Sequence, residues 1–166
     1  VMGFVCSTLF NLVAGARASL LASHDAKLSP ALMLAAIQDL KPSAIETVPW
    51  VIEGLVGMMA EGHEQASETI SALSALHCCT FGGAALAPHC PPILVQHGVT
   101  IAIAYGQTET CGPVMFSQPG GDAQSMRPVG GVRWELVRGP DDPENVGELV
   151  LLGCGSATSG YLKLPT

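Results

Sequence analysis

A chain of 166 residues, 48% apolar and only 13% charged, has material for one domain or for one domain with a small annex. Its formal charge of −7 excludes a general nucleic-acid binder, which needs a basic stripe to displace counterions. With so few charges, the sequence predicts strands buried on both faces beneath helices, or apolar surface covered by protein outside these residues.

The first 22 residues are apolar, but Asn11, Gly15 and Arg17 interrupt them and no basic segment precedes them. They read as a helix over 1–14 ended by Gly15, not as a signal peptide or membrane span. ASLLA (18–22) reads as a short buried strand closed by Ser23-His24-Asp25. Ser29 and Pro30 supply a helix start, and the helix runs to Lys41-Pro42. SAIETV (43–48) is strand-like. From Pro49 a helical pattern carries Trp50, Ile52, Leu55, Val56 and Met59 to Gly62, and a further helix fits 64–75. His77 to Phe81 is again strand-like, broken by Gly82-Gly83. A helix over 86–97, capped by Gly98, leads into the strongly β-biased run VTIAIAY (99–105). This alternation predicts an α/β fold with a helix-covered, mainly parallel sheet.

After Glu109 the helical periodicity fades. Pro119-Gly120-Gly121-Asp122 and Gly139-Pro140-Asp141-Asp142-Pro143 punctuate short strands, clearest in VRWELV (132–137) and GELVLLG (147–153). The expected division is an α/β part over 1–108 and a β-rich annex, a small antiparallel partial barrel, over 109–166. No internal repeat or low-complexity tract is present. The chain is expected to be an internal piece of a longer protein.

Six cysteines in an apolar α/β sequence read as reduced residues of a cytoplasmic protein. His77-Cys78-Cys79 and His89-Cys90 lack metal-ligand spacing, because neighbours on a strand point to opposite faces. Neither a G-x-S-x-G hydrolase motif nor a dinucleotide fingerprint with room for its helix is found.

The sharpest chemical feature is Tyr105-Gly106-Gln107-Thr108-Glu109, at the carboxyl end of the best strand, where open parallel sheets gather their ligands. For a nucleotide, Tyr105 offers a flat face, Gly106 close backbone approach, Thr108 a donor to phosphate and Glu109 a hard oxygen ligand for Mg²⁺. A strand end with a capping threonine and a solvated glutamate accounts for the same residues equally well. Gly82-Gly83-Ala84-Ala85 leaves a surface free of side chains for a planar ring; an ordinary βα turn has the same composition.

Together these segments resemble the adenylate-forming superfamily: acyl- and aryl-CoA synthetases, luciferase-like enzymes, and adenylation domains of nonribosomal peptide synthetases and carboxylate reductases. FGGAAL (81–86) is similar to that family's glycine-rich adenine segment, and YGQTET (105–110) to its YGxTE motif. RPVGGVRWELV (127–137), GELVLLGCGSATSGYLKLPT (147–166) and KPSAIETVPWVIEGL (41–55) resemble further family segments in the family's order, spanning essentially the whole chain. The resemblance implies an ATP-dependent ligase that joins a carboxylic acid to AMP and passes the acyl group to coenzyme A or to phosphopantetheine on a carrier domain. It implies adenine stacked on Tyr105 and flanked by Gly82, Gly83 and Ala84, with Gly106 beside it. It further implies Thr108 on the α-phosphate and Glu109 on Mg²⁺.

Departures from the family pattern accompany the matches. Nothing before Val48 resembles the phosphate loop with its lysine, and the chain stops at Thr166, before the ribose-binding segment. Ile103 stands where family members often carry an amide residue. The isolated chain is therefore expected to be inactive and to depend on flanking parts of the same enzyme. The rival reading is a non-catalytic remnant that binds a nucleotide or a protein partner. Trp50 is placed either in the core or on an acyl pocket. Glu46, inside an apolar strand, fits an edge position, a partner for a basic group, or a pocket carboxylate.

Overall fold

The computed structural model describes residues 11–21, 28–120, 125–144, 146–155 and 157–158. Four helices of seven residues or more lie among the described residues. The first, α1 (Pro30–Leu40), begins where the Ser29 hydroxyl accepts the Leu32 N–H at 3.1 Å and Pro30 occupies the first turn. It ends at Lys41, left-handed at φ 44°, with Pro42 unable to continue it. Helix α2 (Pro49–Met58) again opens on a proline and buries Val51, Ile52, Leu55 and Val56. At Gly54 a Cβ would run into the Pro30 ring, so this glycine lets α2 lie against the start of α1. Helices α3 (Ala66–Ser74) and α4 (Cys90–Gln96) complete the set.

The helices share one core cluster with the sheet. Met33, Leu34 and Ile37 of α1 meet the buried face of α2, and Leu73 and Leu94 join them over Cys79, Phe81 and Ile101. Strands β1 (Ala44–Thr47), β2 (Cys78–Gly82) and β3 (Ile101–Gln107) run parallel. Strand β4 (Gly112–Ser117) pairs antiparallel with β3, and β5 (Met126–Pro128) antiparallel with β4, giving the order β1-β2-β3-β4-β5. A separate antiparallel pair, β6 (Arg133–Val137) and β7 (Glu148–Leu152), follows. The helix-covered sheet and the small antiparallel sheet are thus both found. The change of character after Glu109 coincides with the switch from parallel to antiparallel pairing; the separate sheet starts later, at Arg133.

Several expected elements shift for identifiable reasons. Residues 18–21 form no strand, none of the strands among the described residues pairs with them, and Leu20 and Leu21 are exposed; Ala22 lies outside the described residues. The expected helix over 1–14 is described only at Asn11–Val13, and Gly15 follows it at φ 74°. The helix expected over 86–97 starts at Cys90, because Pro91 and Pro92 fit only in a first turn. The strand expected to end at Tyr105 runs on to Gln107, since β4 supplies partners for Gly106 and Gln107. No described helix is long and apolar enough to cross a membrane.

The described cysteines are free thiols, and their reactivity should follow burial. Burial, with Cys78 beside it, pushes the Cys79 thiol up to about 12. Burial and then Glu53 raise that of Cys90. Since the thiolate is the reacting form, a raised value means less of it at pH 8. Iodoacetamide at pH 8 is expected to label exposed Cys111 in the native protein, and Cys79 and Cys90 only after unfolding. Early labelling of Cys79 by mass spectrometry would contradict this packing.

Candidate functional site

The ends of β2 and β3 lie side by side, with Gly82 the register partner of Ala104. A Cβ on Gly82 would stand 2.5 Å from the Ala104 carbonyl oxygen, so close backbone approach requires this glycine. Gly83 is required for another reason. Its φ of 89° is a left-handed conformation that turns the chain away from the sheet, and a Cβ there would meet nothing within 4 Å. The exposed Ala84 and Ala85 follow.

This bare stretch is a wall shared by two grooves. The first, of about 790 Å³, lies between Gly83–Leu86 and the Ile103–Gly106 part of β3, with Pro91, Pro92 and Met126 contributing. Tyr105 lines it and is 44% exposed, so its ring is available to a ligand. The second, of about 430 Å³, lies between Gly82–Ala85 and the start of α2, where Val48, Pro49, Trp50 and Glu53 face it. Trp50 is 50% exposed there, which takes it out of the core.

Beyond Gly106 the chain turns sharply. The pairing of β3 with β4 shifts register between Tyr105 and Gly106, and Thr108–Thr110 form a 3₁₀ turn. Thr110, buried beneath it, locks this turn. Its hydroxyl accepts the Gln107 N–H at 3.3 Å and lies 2.9 Å from the Gln107 carbonyl and 2.8 Å from that of Gly112, its single proton going to either. The Gln107 side chain accepts the Thr110 N–H in return. Cys111, left-handed at φ 53°, completes the reversal. Thr108 is exposed and Glu109 half-buried on the outside of the turn. The Glu109 carbonyl accepts the Thr158 N–H at 2.7 Å, which ties a distant segment to the motif.

Of the residues singled out in the sequence, Gly83, Ala84, Tyr105 and Gly106 line the first groove, and Gly82, Gly83 and Ala84 the second. Thr108 and Glu109 line neither; they stand on the turn that continues from Gly106 and Gln107. Tyr105 and Gly106 belong to the strand, not to the loop after it. Ile103 faces the first groove as an apolar side chain, and its N–H is taken by the buried Ser117 hydroxyl at 2.8 Å. Among the described residues, no group of three or more His, Cys, Asp or Glu side chains is assembled to hold a metal.

Sequence reasoning missed Thr110, Ser117 and Glu53. The signal for Glu53 was a carboxylate among the apolar Val51, Ile52, Leu55 and Val56, which calls for a partner. That partner is the Ala87 N–H, donated to Glu53 Oε1 at 2.9 Å.

A family model for AMP-binding enzymes matches residues 1–162. The chain belongs to the AMP-binding enzyme family. Solved structures carry the same fold. A malonyl-CoA ligase in a ternary product complex with methylmalonyl-CoA and AMP matches at TM-score 0.75 and 24% identity, over 98% of this chain and 34% of that one. A benzoate CoA ligase from Burkholderia xenovorans LB400 matches at 0.74 and 23%, over 95% and 31%. The unliganded O-succinylbenzoate coenzyme A synthetase of Bacillus subtilis matches at 0.72 and 16%, over 98% and 34%. The chain thus spans about a third of the length of these ligases and synthetases, and its resemblance to the adenylate-forming superfamily holds. No curated protein sequence matches it.

Proposed function

We propose that this chain is the central part of an adenylate-forming ligase that activates a carboxylic acid with ATP and hands the acyl group to a thiol. One observation carries the reading: a wall of small residues, Gly83 to Ala85, and a half-exposed tyrosine line one groove, and the strand that bears the tyrosine continues into the Thr108–Glu109 turn. A planar purine fits between a bare backbone and an aromatic face. Adenine is assigned to the first groove and the carboxylate substrate to the second, against Trp50. The two ligands then meet at the end of the shared wall.

In the reaction a carboxylate oxygen bonds to the α-phosphorus of ATP, and the bond from that phosphorus to the bridging oxygen breaks. The electron pair leaves with pyrophosphate. A thiol of coenzyme A or of carrier-bound phosphopantetheine then takes the acyl group, releasing AMP. Thr108, exposed on the turn, offers a hydroxyl proton to an α-phosphate oxygen. Glu109 would hold Mg²⁺ through a carboxylate oxygen, a hard ligand of the kind this ion takes one or two at a time from protein. Mg²⁺ bound there would neutralise charge as it gathers on the phosphates. Positioning and fixed dipoles are then the main catalytic contributions of the chain. Residues 1–108 are assigned to adenine and substrate binding and 109–166 to the annex beside them. The phosphate loop and terminal lysine are assigned to flanking parts of a cytoplasmic enzyme.

The test is carboxylate-dependent exchange of pyrophosphate into ATP by the intact enzyme, over a panel of aryl, amino and fatty acids. Tyr105→Ala should raise the KM for ATP about tenfold, because base–aromatic stacking is worth roughly 1–3 kcal/mol. An unchanged KM for ATP removes Tyr105 from the adenine site. No exchange with any acid would favour a non-catalytic nucleotide- or partner-binding remnant.

A further inference from the structure

We infer that Glu53 is a positioning residue that fixes the wall common to both grooves, so that one side chain sets the affinity for both ligands. Glu53 sits in the middle of α2, between Val51 and Ile52 on one side and Leu55 and Val56 on the other, all buried. Its carboxylate reaches across 34 residues of chain to accept the Ala87 N–H at 2.9 Å. Ala87 lies in the irregular stretch, 83–89, that connects Gly82 to α4, and its carbonyl accepts the Cys90 N–H at 2.9 Å, tying the same point to the start of that helix.

Among the described residues these are the hydrogen bonds made by residues 84–87. Ala84 and Ala85 are exposed and contribute no anchoring side chains. The wall is therefore held at one end by the Gly82–Ala104 pairing and at the other by the Glu53–Ala87 bond. The left-handed Gly83 is the bend between them. A hydrogen bond to a charged acceptor, half-shielded from water, is stronger than a neutral one. Loss of it frees the segment that both grooves share, so displacement of the wall alters the two together. Its kinetic consequence rests on the adenylating reading; the clamp itself does not.

The experiment compares Glu53→Gln, Glu53→Met and Glu53→Ala in the intact enzyme. Glutamine keeps an acceptor oxygen at the same reach. Methionine keeps the length and packing of the side chain, and guards against failure of the alanine variant to fold. Deuterium exchange at the Ala87 amide should be about tenfold faster or more in the Met and Ala variants, and within about threefold of wild type in the Gln variant. In the pyrophosphate assay, Met and Ala should raise the KM for ATP and for the carboxylate together by about tenfold, with glutamine restoring most of both. A merely structural role would lower the melting temperature and leave both KM values in place.

Unchanged deuterium exchange in the Met variant overturns the clamp. A shift in the carboxylate KM alone also overturns it and makes Glu53 an ordinary wall of the second groove. A wild-type enzyme without carboxylate-dependent exchange would sink the adenylating reading, and deuterium exchange would still decide the clamp.

Discussion

Glu109→Gln in the intact enzyme should slow carboxylate-dependent pyrophosphate exchange about a hundredfold or more while leaving the melting temperature nearly unchanged. The stability half of this expectation comes from the turn. Bonds through Thr110, Gln107 and the main-chain carbonyl of Glu109 hold the turn, and the variant changes none of those atoms. Glutamine also keeps the length of the side chain. The activity half comes from charge. The negative oxygen suited to Mg²⁺ is lost, and with it several kcal/mol of transition-state stabilisation. The defect should deepen at limiting Mg²⁺. Exchange as fast as wild type under that condition would end the metal assignment, and the site assignment with it.

Gly106→Ala should be the most damaging single change to the fold of the site, costing about 2–3 kcal/mol or more. A Cβ at Gly106 would run into the Gly112 carbonyl oxygen and stand 2.7 Å from the Pro113 Cα. Both are backbone of the neighbouring strand, so no flexible side chain can swing aside. The register shift between Tyr105 and Gly106 would have to open, carrying Tyr105 away from the first groove. Gly83→Ala is the control, because that position is open and only its φ of 89° is strained. It should cost nearer 1 kcal/mol. Urea unfolding of the two variants separates the mechanisms. Equal, small losses would mean that β3 and β4 are not this close.

Both experiments turn on features that the sequence displayed unequally. Ser29-Pro30 and Lys41-Pro42 bounded α1 correctly because capping and proline geometry act within a few residues. The β-branched run before Tyr105 identified β3 for a similar reason: its residues suit a buried pleated surface wherever it lies. By contrast, ASLLA had the composition of a strand, but among the described residues no strand pairs with 18–21, which stay irregular and largely exposed. The extension of β3 to Gln107 also depended on a partner, since Gly106 and Gln107 are held by Pro113 and Gly112 across a turn.

The sequence by itself determined the order of the main helices and strands, the α/β class and the family, because local propensities and short motifs carry those. Only the tertiary structure decided that Trp50 faces a groove, that Gly82 and Gly106 are glycines for want of space, and that Glu53 reaches Ala87. Each of these depends on which backbone comes within a few ångströms of another, and residues 34 positions apart leave no local pattern from which that distance could be read.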